Sequence, residues 1–76
     1  MNLYEKLLMQ AEKLPSGTEF MISQIYGEGW KEIPAKEKIR MGQRFLTEVK
    51  EGRVPGILFQ GLREGRTHSH KWYLKL

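Results

Sequence analysis

The 76-residue chain contains no cysteine and no aspartate. Without cysteine there is no disulfide framework, no thiolate metal site and no thiol nucleophile, which suits the cytoplasm. Without aspartate, Ser16, Ser23 and Ser69 lack a convincing base and orienting acid for nucleophilic catalysis. Long apolar runs are missing too, because Asn2–Leu14 is broken by Glu5, Lys6, Gln10, Glu12 and Lys13. Neither a signal peptide nor a membrane span is expected. Glycine supplies no phosphate-binding fingerprint: Gly27-Glu28-Gly29 is a lone G-x-G outside a strand-to-helix context. His68-Ser69-His70 offers two imidazoles without a third ligand, so no metal is expected. The sequence therefore predicts neither an enzyme nor a cofactor, and shows no small-molecule site.

What is present is positive charge, unevenly placed. The net charge is +4, with residues 1–33 at net −2 and residues 34–76 at net +6. A basic half in so small a single domain (1–76) points to a polyanionic partner, most often nucleic acid. Solubility alone would also account for net charge, so the placement of the cations must decide.

Asn2 with Glu5 three residues on predicts a capped start, and Leu3, Tyr4, Leu7, Leu8, Ala11 and Leu14 predict an amphipathic helix over 3–13. Pro15 and Gly17 end it. Thr18–Ile22 reads as a short strand that must pair later in the chain. Ser23 is expected to cap a brief second helix through Tyr26, and Trp30 and Ile33 to plug the core around the glycine turn. Pro34 suits the first turn of a long helix from Ala35 to Glu51, stopped by Gly52. Ile57–Leu62 and Thr67–Leu76 read as a hairpin. With Glu64-Gly65 as its two-residue turn, Phe59 would face His70 and Ile57 would face Trp72. His70 is then expected beside Phe59, and His68 near the tip.

On a helical wheel, Ala35, Ile39, Gly42, Phe45, Leu46 and Val49 form one apolar stripe. Lys36, Arg40, Gln43, Arg44, Thr47 and Lys50 share roughly 120° of the opposite side. Glu37 and Glu48 are pushed to one flank. Arginine and glutamine donate to purine edges, so Arg40, Gln43, Arg44 and Thr47 are candidates for base contacts. Lys36, Lys50, Arg63, Arg66 and Lys71 are candidates for phosphate contacts. Gly42, unfavourable in a helix interior, suggests a close crossing by another helix.

The order helix, short strand, short helix, long helix, hairpin resembles the winged helix-turn-helix superfamily over essentially the whole chain. Phe20-Met21-Ile22 matches its short first strand, Ser23–Tyr26 its second helix, Ala35–Glu51 its recognition helix and Ile57–Leu76 its wing. More closely, Leu14-Pro15-Ser16-Gly17-Thr18-Glu19-Phe20, Trp30, Ile33-Pro34, Met41-Gly42 and Arg44-Phe45-Leu46 resemble a family of small uncharacterised bacterial and phage-borne domains, a likeness that implies no activity. The turn Gly27–Ile33 is longer than in a standard helix-turn-helix. The resemblance implies an α+β fold of three helices, a short first strand and a two-stranded wing. It also implies double-stranded DNA as partner and transcriptional regulation as role, with a homodimer through the N-terminal helix. The alternatives are a protein-interaction module with a patch of Tyr4, Tyr26, Trp30 and Tyr73, or an RNA-binding domain. No aromatic platform for single strands is evident.

Overall fold

Asn2 opens the first helix, α1 (Leu3–Glu12), by accepting a hydrogen bond from the Glu5 amide at 2.8 Å. The computed structural model describes residues 2–65 and 69–76; Arg66, a candidate phosphate contact, Thr67, and His68, expected near the tip, lie outside the described residues. α1 buries Tyr4, Leu7 and Ala11, the inward positions of its 3.6-residue period.

After the Pro15–Gly17 turn, β1 (Glu19–Phe20) pairs antiparallel with the last strand, Phe20 opposite Tyr73. The second helix, α2 (Ile22–Tyr26), begins two residues earlier than a Ser23 cap would allow. The side chain of Gln24 accepts from the Met21 amide at 3.1 Å, so Gln24 organises the helix start and Ser23 sits inside the first turn. Eight residues separate α2 from the next helix, and Trp30–Glu32 within them form a short 3-10 turn. Ile33 is buried there and Trp30 half-buried against Tyr26.

The long helix, α3 (Ala35–Lys50), starts after Pro34. It ends where the amides of Gly52 and Arg53 donate to the carbonyls of Val49 and Glu48, a closure that needs the left-handed φ of +76° at Gly52. Its buried face is Met41, Gly42, Phe45 and Val49. The expected stripe was centred differently: Ala35 and Ile39 are exposed, and Met41 takes the inward place. Met41 and Ile39 flank Phe45 and Gly42 on the wheel, and packing against the sheet and α2 selects the Met41 side.

β2 (Ile57–Glu64) and β3 (Ser69–Lys75) complete a three-stranded antiparallel sheet in the order β1-β3-β2. The expected register is corrected. Phe59 faces Tyr73, Ile57 faces Lys75 and His70 faces Arg63, because four residues rather than two separate the strands and the ladder slips between Phe59 and Gly61. Gly61, at φ +105°, accommodates that bulge. In this register Tyr73 turns inward. Its ring packs 4.9 Å from Phe45, 5.5 Å from Phe59 and 5.7 Å from Phe20, making it the centre of the core. Three helices and a three-stranded antiparallel sheet make the protein α+β. Among the described residues no helix is long and apolar enough to cross a membrane.

Candidate nucleic-acid interface

Burying Phe45 and Met41 turns the opposite side of α3 to solvent. Lys36, Arg40, Gln43, Arg44, Thr47 and Lys50 are all exposed. Charge is not uniform across this face. Along one edge Arg40 pairs with Glu37 at 3.3 Å and Arg44 with Glu48 at 3.8 Å. The Arg44 guanidinium also stacks 4.0 Å from the centre of the Tyr4 ring, drawing it toward α1. Tyr4 in turn donates to Glu48 at 2.5 Å. Burial, reinforced by that hydrogen bond and by the carboxylate charge, holds the Tyr4 phenol well above its ordinary range, so it remains a donor.

Away from that edge the face is open. Lys36, Gln43 and Thr47 have no side-chain partner among the described residues. Lys50 extends over the Phe59 ring, its ammonium 5.3 Å from the centroid. Lys38 is half-buried with its ammonium 5.4 Å from the centre of the Trp30 ring. An apolar stem can lie on an aromatic surface while its charged end stays wet, which is why periodicity alone did not mark Lys38.

Beside α3 runs a groove of about 480 Å³. Lys38, Ile39 and Gln43 of α3 contribute to it, with Ser69, His70 and Lys71 from β3 and Met21, Ile22 and Ser23 near the start of α2. Trp30, Gly42 and Tyr73 complete the lining, and no carboxylate is part of it. Two ammonium groups in a concave, acid-free setting concentrate positive potential. The sheet thus brings Lys71 to α3: it shares a face with Tyr73, two residues along β3, and that face packs on the helix.

Arg63 is placed differently. It lies opposite His70 on the face that Trp72 occupies, away from Tyr73 and α3. There it forms an ion pair with Glu19, donates a hydrogen bond to the side-chain oxygen of Gln60 at 3.2 Å and stacks 4.5 Å from the centre of the Trp72 ring. It is not brought together with the helix cations. Arg66 lies outside the described residues.

Several expected features have different environments from those read in sequence. Tyr4, Tyr26 and Tyr73 are buried, so of the four aromatics considered as an exposed patch only Trp30 reaches the surface in part. His70 sits opposite Arg63 rather than Phe59. No three His, Cys, Asp or Glu side chains converge among the described residues. α1 commits most of its apolar stripe to the core, leaving Leu3 and Met9 as its exposed large apolar side chains.

Residues 5–75 match the family described as a domain of unknown function (DUF1413), and the chain belongs to that family. No curated protein and no solved structure matches the chain.

Proposed function

We propose that the chain is a winged helix-turn-helix domain that binds double-stranded DNA, with α3 in the major groove and the β2–β3 hairpin beside it as a wing, and that it serves as a small transcriptional regulator. The element order and the β1-β3-β2 sheet support the fold reading. A helix of 16 residues is about 24 Å long, ample to cross a major groove about 12 Å wide.

The observation that carries the proposal is the continuity of the open side of α3 with the acid-free groove bearing Lys38 and Lys71. An ordinary solvated helix face needs no such continuation onto a neighbouring strand. In this reading Gln43 and Thr47 reach base edges, and Lys36, Lys38, Lys50 and Lys71 contact phosphates. Arg40 and Arg44, both exposed, exchange their carboxylate partners for phosphate or base acceptors at the other edge. Arg63 serves the sheet rather than the duplex.

Titrating the protein into a fluorescent 20-base-pair duplex at several salt concentrations tests this. About five phosphate contacts give a slope of log K against log salt near −4 to −5. Absence of binding at about 50 mM salt, where such contacts are strong, contradicts the proposal. Tighter binding of single-stranded RNA than of the duplex contradicts it as well.

A further inference from the structure

Ile39 is 61% exposed on the side of α3 that borders the groove. Its polar neighbours on the same side of the helix, at i−3 and i+4, are Lys36 and Gln43, and Lys38 and Lys71 share the groove it borders. The core does not use it, because Met41 and Phe45 fill the inward positions. An apolar partner protein is a poor match for one isolated branched side chain set between Lys36, Gln43 and a groove that carries two lysines. A polyanion that presents isolated methyl groups is a good one.

We propose that Ile39 and Gln43 together read A·T base pairs, Ile39 packing on the C5-methyl of thymine and Gln43 pairing with the edge of adenine. The side-chain amide of Gln43 donates to N7 and its carbonyl accepts from the N6 amino group. Residues four apart stand on one side of a helix with their Cβ atoms about 5–6 Å apart, so the pair reaches the same or adjacent base pairs. Both side chains border the groove that holds Lys71. The inference rests on the duplex reading above and adds to it the class of base recognised.

The test uses three 20-base-pair duplexes at one salt concentration: alternating A·T, the same duplex with deoxyuridine in place of thymidine, and alternating G·C. The first two differ by the methyl group alone. One buried methyl corresponds to a preference of about fourfold for thymine over uracil. Ile39→Ala is expected to abolish that preference, and Ile39→Val to retain most of it. Gln43→Ala is expected to narrow the A·T over G·C preference while leaving thymine over uracil intact. Circular dichroism and thermal melting of each variant report folding; Ile39 is 61% exposed, so truncating it leaves the core intact, and the wild-type comparison of the three duplexes decides the base preference without any variant. Equal wild-type binding to all three duplexes, or a thymine preference that survives in Ile39→Ala, overturns the A·T inference and leaves duplex binding standing. Failure to bind any of the three overturns both.

Discussion

The terminal methyl of Ile22 on α2 rests 3.6 Å from the point where a β-carbon on Gly42 of α3 would stand. That is an ordinary van der Waals separation, so the two helices meet at this glycine without requiring it. Gly42→Ala should therefore keep the crossing and gain helix propensity. The expected outcome is a stabilisation of about 0.5–1 kcal/mol in urea unfolding, with an unchanged m-value. Destabilisation would mean that α2 cannot yield the space.

Tyr73 holds the core together with its ring while its hydroxyl is buried without a hydrogen-bond partner among the described residues. An unsatisfied buried hydroxyl is destabilising, so Tyr73→Phe is expected to stabilise the protein by about 1 kcal/mol at neutral pH.

The same burial makes stability depend on alkaline pH. Burial pushes the Tyr73 phenol up to about 12, from an ordinary value near 10. The unfolded chain therefore releases this proton first. The contribution is fully present below pH 10 and is lost as pH rises through 12, to the extent of about 2–3 kcal/mol. Unfolding free energies of wild type and Tyr73→Phe should diverge further between pH 10 and 12, while Tyr4 produces a decline common to both. Parallel curves over that interval would contradict the assignment to Tyr73.

Arg63 and Lys71 provide opposite outcomes on one hairpin. Arg63→Ala breaks an exposed ion pair with Glu19 and the stacking on Trp72, and should lower stability by about 1 kcal/mol or less. Its effect on the salt slope of duplex binding should be negligible. Lys71→Ala should reduce that slope by about one and weaken binding to every sequence alike. The reverse pattern would move the interface to the other side of the sheet.

Much of the local structure was legible because single residues dictated it. Asn2 caps α1, Pro34 precedes α3 and Gly52 closes it, each through backbone chemistry that needs no tertiary partner. The cationic side of α3 was legible for the same reason, since six polar positions fall on one side of a wheel. Long-range choices were not. Pairing Phe59 with Tyr73 rather than His70 depends on the length of the hairpin connection and on the bulge near Gly61, and alternation along the strands fits both registers. The inward rotation of α3 is set by the sheet and α2, which bring Met41 rather than Ile39 into the core. Assigning Ile39 to the apolar stripe kept it out of the candidate interface. The destination of Arg63 depended on Glu19, 44 residues earlier, which no local pattern links to it.

Amide chemical-shift mapping of the isotope-labelled protein with a 20-base-pair duplex tests the central claim most directly. The account places the largest shifts on Lys36, Lys38, Ile39, Gln43, Thr47, Lys50 and Lys71, with Arg63 and Trp72 nearly unmoved. Shifts confined to the Arg63–Trp72 side of the sheet, or none at duplex excess, would contradict it.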